Sequence, residues 1–415
     1  MKPFFQVQTI EEVWRRMSEV ACLPSETVPL DDAAGRTLAE DFTAPCDLPG
    51  FSRSTVDGYA VRARDTFGAS EPQPAYLTLH GEVVMGRAPD FVLGAGQCAR
   101  VGTGGMLPEG ADAVVMVEHT SEAGQQIVEI GRSAAPGANV IGPTDDAAAG
   151  QVLLPARREL RPQDVGLLAA MGVRQPRVAR RPRAGILSTG DEVVPVDEAP
   201  GPGQVRDVNA HVLASQVRAA GGDVIPLGLC PDDAVRLRAA VDRSLAQADL
   251  TLLSGGSSVG SRDLTAEIFQ GVPGAELLVH GVSVAPGKPF IWVRAGDHHL
   301  LGLPGQVTSC VVAFHLFVEP LMERLVGRPA AAFTRFGRQG ATLTRNVAAQ
   351  SGRELYQRVR IHETESGWLA EPVPGRSGLL RSLVQGQGLV RVPLGAEGLE
   401  EGSRVEVLLF PGAAR

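Results

Sequence analysis

The sequence predicts a multidomain protein of the α/β plus β class: a doubly wound α/β domain joined to a small β domain, a helical connector domain and a C-terminal β-barrel-like domain. Three observations carry this expectation. The chain has 415 residues, which at roughly 150 residues per domain allows two to four cores. Its 49 glycines and 30 prolines call for turns, loops and short strands, and argue against an all-helical bundle. From about 181 to 328, strand and helix patterns alternate, as they do in a parallel sheet with crossover helices.

Taken in chain order, Thr9 with Glu12 three residues on reads as a capping box, and Ile10, Val13, Trp14, Met17 and Val20 recur at helical spacing behind it. Residues 51–140 hold short apolar runs (Tyr76 to Leu79, Ala113 to Val117, Gln126 to Ile130) between Gly and Pro, the pattern of a small β domain. Pro162 opens and Gly172 closes a short helix in a connector segment. Residues 1–50 and 141–180 flank the β domain, and the first helix is expected to pack with the connector as one discontinuous domain. Residues 181–328 read as the α/β domain. Its strands are expected at Ala184 to Leu187, Asp223 to Leu229, Leu250 to Leu253, Leu277 to Val284 and Phe290 to Val293, and its helices at Ala210 to Ala220, Ala234 to Ala246, Leu264 to Phe269 and Val307 to Val326. Residues 330–415 return to alternation and predict a small barrel or sandwich.

Composition excludes several functions. The net charge of -8 and the absence of a basic run leave no footprint for a nucleic-acid backbone. No apolar stretch reaches the length of a membrane span, and Glu11 and Glu12 stand where a signal peptide needs its apolar core, so the protein is read as soluble and cytoplasmic. The five scattered cysteines form no C-x-x-C pair and read as small buried hydrophobes rather than a disulfide or zinc framework. His298-His299 reads as a hairpin turn, and no Ser/His/Asp order is apparent.

Ligands of an open α/β sheet bind beyond the carboxyl ends of its strands. The first strand runs into Ser188-Thr189-Gly190-Asp191-Glu192, and the third into Ser254-Gly255-Gly256-Ser257-Ser258-Val259-Gly260 ahead of a helix. A third turn, Leu303-Pro304-Gly305, precedes the last helix. Such glycines let backbone N–H groups approach an anion, although turns before helices are often Gly-rich for geometry alone. Neither a Walker A nor a G-x-G-x-x-G is present. Glu192, Asp232 and Asp263 are oxygen ligands of the kind Mg2+ takes beside phosphates, and Asp232 also reads as a helix cap. Of 39 basic residues only Lys2 and Lys288 are lysines. The compact ammonium of Lys288, in Pro286-Gly287-Lys288-Pro289, suits one oxygen cluster that a planar guanidinium would not fit.

These motifs resemble those of the molybdopterin molybdenumtransferases, the MoeA and gephyrin E-domain family. Asp47-Leu48-Pro49-Gly50-Phe51 with Ser54 to Val61 is similar to its D-x-P-x-F-x-x-S-x-M-D-G-Y-A-V, and Arg100 to Val115 to its R-I-x-T-G-A-x-L-P-x-G-A-D-A-V-V. Ser188 to Glu192, Ser254 to Asp263, Pro286 to Pro289 and Leu303-Pro304-Gly305 follow S-T-G-D-E, S/T-G-G-x-S-x-G-x-x-D, P-G-K-P and L-P-G. The resemblance spans the whole chain. It implies four domains in an elongated homodimer with a site shared between subunits. The implied reaction takes adenylylated molybdopterin and molybdate, inserts the metal at the dithiolene and releases AMP with Mg2+ assisting. It further implies that Asp57, Thr103 and Asp146 face the site from the partner subunit, and Glu192, Asp232 and Asp263 from the α/β domain. Ser377, in Arg376-Ser377-Gly378-Leu379-Leu380, resembles a serine motif near the cleft.

Three positions depart from the family. Gly281 and Ala285 stand where it carries lysines, and Gly305-Gln306-Val307 replaces G-N-P. Losing two cations should weaken binding of a dianion by roughly 1 kcal/mol or more per contact. Arg262 and Arg376 are the sequence's candidates to compensate. The departures also leave open a divergent paralogue that binds the pterin or its nucleotide as a carrier or scaffold without inserting metal.

Overall fold

The computed structural model describes residues 7–255 and 261–413, the side chains of 261–263 excepted. Helix α1 (Ile10–Ser18) starts from the expected capping box: Thr9 Oγ1 accepts from the Glu12 N–H at 3.2 Å, and Glu12 accepts from the Thr9 N–H at 2.7 Å. Its apolar stripe does not join the connector. Ile10, Val13 and Met17 enter the core formed by the α/β domain and the C-terminal barrel. The segments flanking the β domain are instead joined by strands, Ser25–Thr27 with Arg177–Ala179 and Phe42–Thr43 with Val152–Leu154. Helix α2 (Pro162–Ala170) packs Leu168 among Val28, Leu38, Leu160 and Val178. Residues 58–130 form a six-stranded sheet with an apolar cluster on each face.

The α/β domain holds α3 (Asn209–Ala219), α4 (Ala234–Gln247), α5 (Ser261–Gln270), α6 (Val307–Ala313) and α7 (Glu319–Leu325) around a six-stranded sheet. The four strands Asp223–Cys230, Arg183–Thr189, Leu250–Gly255 and His298–Leu303 run parallel in that order. The sheet is not parallel throughout: Ile291–Ala295 and Ala275–His280 complete it as antiparallel neighbours. The run expected at Leu277 to Val284 ends at His280, because Gly281 takes φ +93° and the chain leaves the sheet.

Two further expectations are corrected. The hairpin turns at Gly296-Asp297, so His298 and His299 open a central strand and are buried. The His298 Nε2 lies 2.8 Å from Thr251 Oγ1, and the Trp292 indole N–H donates to His299 Nδ1. Two of the five cysteines, Cys22 and Cys46, are exposed.

The helix expected from Val307 to Val326 is present, with α6 and α7 joined through a π-helical turn at Phe314–Val318. Pro320 has no N–H to offer the Leu316 carbonyl four residues earlier, and the Trp14 indole N–H donates to that oxygen at 2.7 Å. This bond fixes α1 to the α/β domain.

The C-terminal region is a closed five-stranded barrel of Glu354–Thr364, Gly367–Pro372, Gly337–Leu343, Arg404–Leu409 and Gly388–Val392, with α8 (Leu380–Gln385) beside it. A short ladder ties it to the rest. Ser283 N–H donates to the Gln8 carbonyl at 2.8 Å, Glu354 N–H donates to the Ser283 carbonyl at 3.0 Å, and Val284–Ala285 pairs with Glu354 and Leu355.

Candidate functional site

The parallel strands end together, and a cleft of about 400 Å3 opens at that edge. Its floor follows from strand register. Ser188 lies opposite Ser254 and Thr189 opposite Gly255, which places two buried hydroxyls 3.4 Å apart. Gly255 has φ +137°, and a Cβ there would meet the Thr189 carbonyl oxygen at 2.1 Å, so only glycine allows this crossing. Gly190, at φ +146°, lets the following chain fold back until the Glu192 carboxylate lies over it. Gly305 completes this part of the lining, while Pro304 is buried behind it.

The carboxylates are held individually. Thr189 Oγ1 donates to Asp232 Oδ1 at 2.7 Å, and the Asp232 N–H donates to Asp191 Oδ1 at 3.2 Å. The cap of α4 is Asp233, whose carboxylate accepts from the Arg236 N–H at 2.8 Å, so Asp232 is not the cap. Gly256, Ser257, Gly260 and the Asp263 and Arg262 side chains lie outside the described residues. Among the described residues no three His, Cys, Asp or Glu side chains converge on a metal cage. Glu192 is exposed in the cleft lining, and Asp232, with one oxygen committed to Thr189, follows the neighbouring strand outside that lining; together they offer a sparse oxygen set at the strand ends. That set fits Mg2+, which binds through one or two carboxylates plus substrate phosphates.

The start of α6 forms the opposite wall. Val307 is its first residue, with a buried side chain, where a proline would also fit. The Thr308 N–H donates to the Ser377 carbonyl at 3.1 Å, and Gly378 and Leu380 reach the cleft from the barrel of the same chain. Lys288 is half-buried in a turn that packs on α6, with Gly287 against Ala313. The turn lies at the same sheet edge, since the antiparallel strand beginning at Ile291 pairs with Gly302, but Lys288 is not in the cleft lining. Gly281 needs its positive φ, and Ala285 is committed to pairing with Leu355.

One residue the sequence reading missed is Arg358. It is buried in the barrel wall and donates to the Gly375 carbonyl at 2.6 Å, to Ser382 Oγ, and to Thr308 Oγ1 at 3.4 Å. Every one of these partners is neutral, and burial lowers the guanidinium pKa. One signal was available: Arg358 keeps the two-residue phase of Glu354 and Tyr356, the buried face that this strand turns away from the barrel interior toward the core shared with the α/β domain.

On the β side, Asp57 and Thr103 form a separate patch. The Thr103 N–H and Oγ1–H both donate to Asp57 Oδ1, at 2.7 and 2.9 Å, and these bonds hold the Asp57 carboxyl below the usual carboxylate range. Asp146 is exposed and anchored through its backbone N–H to the Leu48 carbonyl at 3.1 Å. None of the three lines the cleft of its own chain.

Comparison with known proteins covers the domains that carry both regions. The MoeA N-terminal region (domain I and II) matches residues 8–172, a probable molybdopterin binding domain matches 185–324, and the MoeA C-terminal region (domain IV) matches 340–410. A molybdopterin molybdenumtransferase of Bacillus subtilis is 34% identical over 93% of this chain and 90% of its own. Molybdopterin molybdenumtransferase 2 of Mycobacterium tuberculosis is 33% identical over 97% and 99%. The crystal structure of the molybdopterin biosynthesis MoeA protein from Pyrococcus horikosii superposes with a TM-score of 0.82 at 36% identity, covering 98% of this chain and all of that one. Matched by all three regional models and by relatives over nearly its whole length, the chain belongs to the MoeA family of molybdopterin molybdenumtransferases.

Proposed function

We propose that this protein inserts molybdate into adenylylated molybdopterin, releasing AMP, as a step of molybdenum cofactor biosynthesis in the cytoplasm. The observation that carries this reading is Arg358: a buried guanidinium whose partners among the described residues are all neutral, reached through Thr308 at the α6 wall of a hydroxyl-lined cleft, is placed to take an anion that a substrate would supply. In this reading it makes up for the positive charge missing at Gly281 and Ala285.

In this scheme Gly190 and Gly255 let phosphate oxygens approach the backbone, and the hydroxyls of Ser188, Thr189 and Ser254 orient them. Glu192 and Asp232, with Asp263, would hold Mg2+, whose chemistry is to offset negative charge on the phosphates. Lys288 and Ser377 flank the anion from the α6 side. The chain would act as a homodimer, with Asp57, Thr103 and Asp146 closing the cleft of the other subunit. Because Thr103 lowers its pKa, Asp57 is ionised at neutral pH and orients a donor rather than delivering a proton. Neither nucleic acid nor a membrane has a part in this scheme. Among the described residues no helix is long and apolar enough to cross a membrane.

The test is to supply purified protein with adenylylated molybdopterin, Mg2+ and molybdate. The expected result is stoichiometric AMP together with cofactor that reconstitutes a molybdoenzyme. Tight binding of the pterin nucleotide without AMP release would instead make the protein a carrier.

A further inference from the structure

Among the described rim carboxylates, Asp232 is held through both its side chain and its backbone N–H. Pro231 restricts the preceding φ, and its carbonyl accepts from the Asp233 N–H at 2.7 Å. Asp233 is spent on capping α4. Thr189 donates to Asp232 Oδ1, so that side chain points back toward the first strand. The peptide that enters Asp232 is therefore held on both sides, its carbonyl by the Asp233 N–H and its N–H, among the described residues, by Asp191 Oδ1 at 3.2 Å. Asp191 is exposed, and its carboxylate belongs to no convergent three-ligand cluster among the described residues. Its contact crosses from the loop after the first strand to the loop after its neighbour, the same two loops bridged by Thr189 and Asp232.

We propose that Asp191 is a positioning residue: it clamps the Asp232 peptide and so aims the Asp232 carboxylate at the divalent cation and phosphate of the substrate. This rests on the reading of Asp232 as a Mg2+ ligand given above. A group that orients a ligand from behind typically controls metal affinity by about 10–100-fold. What Asp191 contributes is the position of an acceptor oxygen, and its charge is incidental.

Two variants of the full-length protein separate those contributions. Asp191→Asn keeps an acceptor at Oδ1 without the charge, and Asp191→Glu keeps the charge but displaces the oxygen by a methylene. With AMP present, Mn2+ binding followed by the electron paramagnetic resonance of the free ion should be near wild type in Asp191→Asn. It should be at least about tenfold weaker in Asp191→Glu and Asp191→Ala, with unfolding midpoints unchanged. The Mg2+ concentration for half-maximal AMP release should shift in parallel, with kcat at saturating Mg2+ recovered. Asp191→Asn as weak as Asp191→Ala would overturn the proposal in favour of charge, and so would wild-type binding in all three. Asp232→Ala identifies which idea has failed. If it binds Mn2+ normally, the ligand reading of Asp232 falls and this inference with it; if it loses binding while Asp191→Glu does not, this inference alone falls.

Discussion

A guanidinium buried against neutral acceptors is only partly offset for its desolvation, and an anion would offset it further, which makes Arg358, behind the α6 wall of the cleft, an informative side chain. Arg358→Gln, close in shape but uncharged, should raise the molybdate concentration for half-maximal AMP release at least tenfold, about 1.4 kcal/mol. An unchanged requirement would mean that the anion is held elsewhere, with Lys288 the next candidate. The paired histidines give a prediction of a different kind. Burial lowers both His298 and His299 from 6.5 to about 4, and for His299 the neighbouring His298 and Arg294 add to it. Folded, they stay neutral; unfolded, they take up protons below about pH 6.5. Their contribution is therefore complete above pH 6.5 and lost as the pH falls toward 4, by up to roughly 3 kcal/mol each. Urea midpoints at pH 7.5 and 5 should show the loss, and a His299→Gln chain should show less of it.

Local geometry around the long helix and the cleft floor is equally specific. Trp14→Phe keeps the ring in the core but leaves the Leu316 carbonyl without its donor, and should cost about 1–3 kcal/mol in denaturant unfolding. Gly255→Ala must displace backbone at Thr189, so it should reduce AMP release more severely than it reduces stability. Most of these elements were legible in the sequence, because the helices from Asn209 onward and the barrel strands carry clean periodicity and Gly or Pro boundaries. What failed is what periodicity cannot encode. The stripe of α1 says that it packs on something, not that its partner lies some 300 residues away. The direction of the Ile291–Ala295 strand depends on a two-residue turn rather than on its apolar run. The same holds for the site. The Gly and Ser turns could be read because strand ends are where ligands bind, whereas Arg358 becomes notable only once its three partners are known to be neutral.

In the proposed homodimer, the Asp57 and Thr103 patch of one chain would close the cleft of the other. Mixing Asp57→Asn with Glu192→Gln subunits should restore activity, since half of randomly paired dimers then hold one intact site, giving about a quarter of the wild-type rate. No recovery despite proven subunit exchange would mean that each site is built within a single chain. Within the chain, the barrel is part of the cleft, because Gly378 and Leu380 line it and Ser377 accepts from the start of α6. The ladder through Gln8, Ser283 and Glu354 has a consequence for how the molecule is made. Its three rungs leave the ribosome at the beginning, past the middle and near the end of translation, and loop closure over such separations is slow. The sheet of the α/β domain can form as soon as its own strands emerge. The core it shares with α1 and the barrel must wait for the last tenth of the chain, so the newborn protein carries an open apolar flank that a chaperone would be expected to cover until synthesis ends.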